Sequence, residues 1–200
     1  MTGTFLRPSD EARRRNVPAV RHTASIFVLL TLVAITGCEI AASQQPAGVE
    51  IPAFAQVDEG LSRGGQPSPE GFRQLARQGV KTIVNLRYHS REMDEERQLA
   101  ESLGMRWVNL PMWYWWRPSD AQIRQFLKIT ADPTQRPVFV HCRQGRNRTG
   151  TMSALYRITQ QGWAPADAYT EGRRLGLVSW NLWTRWILFH DAPRKYMGVQ

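Results

Sequence analysis

With only two cysteines in 200 residues, Cys38 and Cys142, the chain cannot carry a disulfide framework. It also lacks an apolar run of the roughly 20 residues that a bilayer-spanning helix needs. The run "ASIFVLLTLVAIT", Ala24 to Thr36, stops at thirteen residues. No internal repeat marks a solenoid or propeller. His89 and His190 stand alone, without the spacing of metal ligands, and no cofactor motif occurs. The basic residues form no stripe interleaved with aromatics, which argues against nucleic acid. What is present is a 42% hydrophobic composition, enough for one domain with its own core.

Positive charge is in excess, with 26 Lys/Arg against 17 Asp/Glu and a net charge of +9. Residues 1–37 hold five of the arginines and two of the carboxylates, which leaves +6 for the remainder. That balance suits an anionic substrate or membrane surface. Basic residues followed by a thirteen-residue apolar core make residues 1–37 read as a signal peptide. Its end, Ile35-Thr36-Gly37-Cys38, resembles the lipobox of bacterial lipoproteins. The resemblance implies acylation of Cys38 and a lipid-anchored protein of the bacterial cell envelope, facing the periplasm. The plainer reading of Cys38 is a small hydrophobe beside an ordinary cleavage site. If Cys38 is acylated, Cys142 has no partner within its own chain.

Residues 38–53 are small, polar and proline-containing, a linker into a domain over 54–200. Ser68-Pro69 opens a helix that Gly79 closes. "KTIVNL" (81–86), "MRWVNL" (105–110) and "RPVFVH" (136–141) read as buried strands. Helices are expected over 90–104, from Ser119 to about Thr130 behind a capping box with Gln122, and over 149–161, 165–175 and 181–190. The alternation predicts an α/β fold, a central and mostly parallel sheet flanked by helices. Ligands bind such sheets at the C-terminal strand ends. There lies "HCRQGRNRTG", His141 to Gly150, with one cysteine and three arginines in ten residues.

Five residues separate Cys142 from Arg148, and Thr149 follows. The stretch resembles the signature of the Cys-dependent phosphatases, in particular the compact dual-specificity branch. "LSRGGQPSPEGFRQLARQGVKTIVNLR" is similar to the N-terminal half of its bacterial and plant/fungal atypical members. That implies an early strand, a Gly-rich turn, a helix and the strand ending at Arg87. The spacing itself makes chemical sense. A short loop between strand and helix turns its backbone N–H groups inward as an anion nest, and the helix adds its N-terminal donors and dipole. Cationic neighbours of this kind lower a thiol's pKa from about 8.5 to about 3.5–7.5. Gln144, Gly145, Asn147 and the arginines Arg143, Arg146 and Arg148 would cradle phosphate, with Arg148 gripping two oxygens. Cys142 would attack phosphorus, Thr149 would hydrogen-bond the sulfur, and His141 would orient the loop. The partner implied is a phosphorylated protein or small polyanion, and the chemistry needs no metal.

Members of the family commonly carry an aspartate general acid about thirty residues before the cysteine. Here that region is "LPMWYWWRPSD", and Asp120 is the nearby carboxylate. It serves equally as a charge at a helix N-terminus behind Ser119. Asp132 falls at the wrong end of the sheet. Arg143 and Arg146 resemble the basic residues with which inositol-phosphate members meet additional phosphates; both side chains pointing into solvent is the alternative. Arg87 either joins the loop at the sheet edge or pairs with the acidic helix. The aromatics at 113–116 fit a site wall, a bilayer contact or partial core, and Trp180, Trp183 and Trp186 fit core. A non-catalytic phosphate-binding lipoprotein and a rhodanese-type sulfurtransferase remain as rival functions.

Overall fold

The computed structural model describes residues 51–199, except 89, 114 and 179–181. The leader 1–37, Cys38 and the linker as far as residue 50 lie outside the described residues. The elements run β1 (Ala55–Asp58), β2 (Leu61–Gly64), α1 (Pro69–Arg77), β3 (Thr82–Asn85), α2 (Glu92–Ser102), β4 (Arg106–Asn109), α3 (Asp120–Ala131), β5 (Val138–His141), α4 (Asn147–Gln161), α5 (Pro165–Arg174) and α6 (Leu182–Trp186). A π-helical segment, Ile187–Tyr196, follows directly.

The strands form one sheet in the order β1-β2-β5-β3-β4. β2, β5, β3 and β4 are mutually parallel, and β1 alone is antiparallel, paired with β2. The expected α/β class and mostly parallel sheet are therefore present. β5 sits at the centre, and all four of its residues are buried, as a strand covered on both faces requires. Alternation sorts the side chains. Ile83 and Phe139 join Phe72, Leu75, Ala100 and Met105 on one face, beneath α1 and α2. Val84, Val138 and Val140 meet Ile123, Phe126 and Leu155 on the other, beneath α3 and α4. Each fully buried Val, Leu, Ile, Phe or Met among them contributes about 1.5–3 kcal/mol.

Helix ends follow local chemistry. The Ser68 hydroxyl accepts from the Gly71 N–H ahead of Pro69, and the Ser119–Gln122 capping box is formed at both of its bonds. Several expectations are corrected. Ile51 and Pro52, expected in the linker, pack on the domain: Ile51 is buried against Phe72 and Phe139, and the Pro52 carbonyl accepts from the Gly65 N–H at 2.6 Å. β1 escaped the pattern reading because "AQVD" is a half-exposed edge strand with little apolar signal. α4 begins at Asn147, two residues early, so Arg148 and Thr149 lie in its first turn. The last helix does not stop at His190. It winds on to Tyr196 through Pro193, burying Ile187, Asp191, Ala192 and Tyr196 at the four- to five-residue repeat of a π-helix. Trp186 is exposed and Trp183 only partly buried; Trp180 lies outside the described residues. In the 112–116 stretch Met112 is buried, while Trp113, Trp115 and Trp116 are exposed.

Candidate active site

The loop from Cys142 to Arg146 links the end of β5 to the start of α4, at the C-terminal edge of the parallel strands. Its shape depends on the turn after β2. Gly145 has φ +69, and a Cβ there would stand 2.5 Å from Gly64 C and Gly65 N. Only glycine fits both the backbone angle and the space. The Gln66 N–H donates to the Arg143 carbonyl at 3.1 Å, and the Leu86 N–H to the His141 carbonyl at 2.8 Å. Arg63, fully buried on β2, donates from Nη2 to the Gly145 carbonyl. Burial lowers the Arg63 pKa to about 10, against the opposing pull of Cys142 and Glu171, so it stays cationic at neutral pH.

Cys142 is 2% exposed. Burial pushes its thiol pKa up, but the Thr149 hydroxyl, the Arg148 charge and the backbone N–H groups of Thr149 and Gln144 outweigh it, and the net shift is downward. The Thr149 hydroxyl also lies 3.4 Å from the Gly64 carbonyl. Arg148 is fixed by its Nη1, which donates to the carbonyls of Leu86 at 3.3 Å and Met112 at 3.2 Å. Asn147 is held from the other side, its Oδ1 accepting from the Val178 N–H at 3.0 Å. Cys142, Arg143, Gln144, Asn147 and Arg148 line a cavity of about 390 Å³. These five expected residues are brought together.

Others are not. Gly145 shapes the turn without lining the cavity. Arg146 is exposed and donates from Nε to the Gly176 carbonyl at 3.2 Å, so its side chain follows the turn after α5. Asp120 is absent from the lining. Its Oδ1 accepts from the Tyr196 hydroxyl at 2.6 Å and pairs with Arg117 at 2.9 Å. The Tyr196 bond, with Lys195 and Arg117 nearby, holds its carboxyl below the usual range. Asp132 caps the end of α3 and accepts from Thr134 and Gln135. Arg87 takes the acidic-helix alternative, bonding Glu92 at 2.8 Å and the Gln66 side-chain oxygen at 2.6 Å.

His141 is buried and stands 3.1 Å from Glu96 through Nε2. Glu96 also accepts from Asn85 at 2.8 Å, Trp107 at 2.7 Å and Gln66 at 2.7 Å. One buried carboxylate thus ties α2 to the ends of β3 and β5, to the body of β4 and to the turn after β2. Burial works against its charge, yet the bonds from His141, Trp107 and Gln66 bring its pKa down to about 2. Neither Glu96 nor Arg63 was expected. Glu96 hid within an acidic run, although it shares the helix face of Met93 and Ala100. Arg63 was betrayed only by being a lone charge in a short strand before two glycines.

The DSP-PTPase phosphatase family model, described as DSP-PTPase phosphatase fused to NAD+ kinase, matches residues 46–177. The dual specificity protein phosphatase TpbA of Pseudomonas aeruginosa is 32% identical over 143 residues, 66% of this chain and 63% of that protein. The inositol diphosphatase DSP4 of Arabidopsis thaliana is 29% identical over 133 residues, 60% of this chain and 62% of its own. The chain thus spans less than two thirds of either relative's length. A crystal structure of P. aeruginosa TpbA in complex with pTyr is 26% identical, with a TM-score of 0.54 over 74% of this chain and 85% of that one.

Proposed function

The chain belongs to the DSP-PTPase phosphatase family, and on that premise we propose that it hydrolyses phosphate esters and anhydrides through a phosphocysteine on Cys142. The observation that carries this reading is the thiol of lowered pKa at the floor of a cavity it shares with Arg148. The Cys142 thiolate attacks phosphorus; an S–P bond forms as the P–O bond to the leaving group breaks. Arg148 and the loop N–H groups take the charge that builds on the phosphoryl oxygens. Water then attacks phosphorus, the S–P bond breaks, inorganic phosphate departs and the thiolate returns. Thr149, bonded to the sulfur, stabilises it as it leaves.

No carboxylate lines the cavity among the described residues. General acid catalysis is worth about 10²–10⁴-fold, so the substrates that suit this site are those whose leaving group departs as a stable anion. Aryl phosphates and phosphoanhydrides qualify, and alkyl phosphates do not. The names of the relatives, a phosphatase seen with pTyr and an inositol diphosphatase, point the same way. Arg143, exposed at the cavity, adds a charge suited to a second phosphate of a polyanion. Arg146, turned to Gly176, contributes less than the sequence suggested.

The proposal extends to the address: Cys38 is acylated and the domain faces the periplasm from a lipid anchor. Mass spectrometry of the purified chain tests that part by the acyl mass on Cys38. For the chemistry, phosphate release is measured with the wild type and Cys142→Ser on an aryl phosphate, an alkyl phosphate and an inositol diphosphate. Release from the first and third that vanishes in the variant is the expected result. Release that survives Cys142→Ser, or thiosulfate turnover in its place, overturns the reading.

A further inference from the structure

Among the described residues, every large apolar side chain that is well exposed lies either on the loops that hold the cavity-lining Arg148 or on the C-terminal stretch packed against α4. Tyr88, Trp113, Trp115 and Trp116 lie on the loops after β3 and β4, the loops whose Leu86 and Met112 carbonyls hold Arg148. Leu182, Trp186, Phe189 and Met197 lie on the C-terminal helical stretch. That stretch is tied to α4 by Thr184, 2.8 Å from the Thr151 hydroxyl. The two stretches are also joined to each other, because Arg117 pairs with Asp191 at 2.9 Å.

The composition of this rim is specific. Trp115 and Trp116 are 70% and 71% exposed, large values for the largest side chain. The Tyr88 and Trp113 rings meet at 4.2 Å, tilted by 34°, and Trp186 stacks on His190 at 4.3 Å. Arg117, Arg185 and Lys195 lie on the same stretches, Arg117 and Lys195 in ion pairs with Asp120 and Asp191. Exposed aromatic patches of this extent mark interaction surfaces. Tryptophan and tyrosine mixed with Arg and Lys is the composition that favours the headgroup layer of a bilayer, where an amphipathic ring has an apolar body and a wet edge. Charge agrees, since the chain from Cys38 onward is net positive and would be drawn to anionic lipid.

We infer that this aromatic rim rests on the headgroup layer of an anionic bilayer and holds the mouth of the Cys142 cavity at the membrane surface. A tether supports it, and that support rests on the reading of Cys38 as acylated. Ile51 follows Cys38 by thirteen positions, at most about 45 Å of extended chain. The rim itself does not depend on the anchor.

The test uses the full chain in vesicles of phosphatidylethanolamine and phosphatidylglycerol, with lipid brominated close to the headgroup as a tryptophan quencher. Quenching is expected in the wild type, and Trp115→Ser/Trp116→Ser is expected to lose the share that these two carry, leaving that of Trp113 and Trp186, while hydrolysing a soluble aryl phosphate at the wild-type rate. Equal quenching in both proteins, or none in either while the chain is in the vesicle, overturns the rim and leaves Cys38 untouched. If the chain is recovered outside the vesicles, the Cys38 reading fails instead. Salt-sensitive co-sedimentation of the soluble chain with the same vesicles, lost in the double variant, then upholds the rim, and its absence overturns it. A double variant that keeps its quenching but raises KM for a phosphotyrosine protein would mark a protein-docking face, and would also overturn the proposal.

Discussion

Where β2 and β5 begin, Asp58 accepts from the N–H groups of Gly60 at 2.7 Å and Leu61 at 2.9 Å, and from Gln161 at 2.5 Å, Arg136 at 3.3 Å and the Tyr156 hydroxyl. Where β5 ends, Cys142 faces Thr149, the loop N–H groups and Arg148. Both ends of the sheet gather donors around one acceptor. At the first the anion is a fixed part of the chain and takes up every donor named. Burial and the Asp58 bond raise the Tyr156 pKa to about 12, so its phenol stays a donor at any ordinary pH. At the second the cations exceed the anions the chain supplies, and they share a cavity. Size would mislead here: the cavity beside Arg136 and Tyr156 is about 860 Å³, against about 390 Å³ at Cys142. The location of the chemistry is told by the balance of donors and chain anions, and the larger hollow sits beside a saturated cluster.

The sharpest way to break this contrast is Arg148→Lys. Lysine keeps the charge but loses the planar fork and the paired bonds to Leu86 and Met112. Removing an organised transition-state donor costs about 10²–10³-fold in kcat. A fall of that size, with KM changed far less and Tm nearly constant, is expected from steady-state kinetics and calorimetry. A variant with wild-type kcat would mean that Arg148 is a scaffold residue like Arg136.

Asp58→Asn is the counterpart at the other end. The amide presents N–H groups to a ring of donors, and losing buried hydrogen bonds to a charged group costs about 1–3 kcal/mol. Chemical denaturation should register that loss, with kcat on an aryl phosphate unchanged. A large kcat effect without destabilisation would give the saturated cluster a catalytic role and erase the distinction.

A subtler effect divides the two ends by pH. The folded-state pKa of Glu96, about 2, lies below its ordinary 4.5. Its contribution to stability is therefore complete above about 4.5 and is lost as pH falls toward about 2. The stability difference between wild type and Glu96→Gln, measured by urea unfolding, should shrink steadily across that window. A difference that stays constant would mean that Glu96 is not ionised beneath the loop.

The sequence made the second end legible and the first nearly invisible, for a physical reason. Cys142, Arg148 and Thr149 sit within eight consecutive residues, because a strand–loop–helix nest is local. The ring around Asp58 and the bonds to Glu96 join residues far apart in the chain, such as Asp58 with Gln161 and Glu96 with His141. Apolar runs located β3, β4 and β5, the family resemblance supplied β2, and both failed at β1, an edge strand, and at the π-wound end, whose repeat is neither that of a strand nor of an α-helix. Arg146 shows the limit of spacing alone. Its place in the motif is right, and the turn at Gly176 takes its side chain elsewhere.

Asp120→Asn carries the smallest expected effect. The Tyr196 hydroxyl can still donate to an amide oxygen, and Arg117 keeps Asp191 at 2.9 Å. What is lost is a negative charge in the first turn of α3, worth about 0.3–1 kcal/mol, read as a small drop in Tm. Turnover of aryl and alkyl phosphates should both stay at the wild-type level, because Asp120 is absent from the cavity lining and its carboxyl is held by Tyr196 and Arg117. The diagnostic is the ratio between the two substrates. A selective fall for the alkyl phosphate, with aryl turnover unchanged, would make Asp120 the proton donor and require the 113–120 loop to swing over the cavity when substrate binds. The Cys142 end of the sheet would then have recruited a carboxylate after all, and its contrast with the Asp58 end would become one of timing instead of composition.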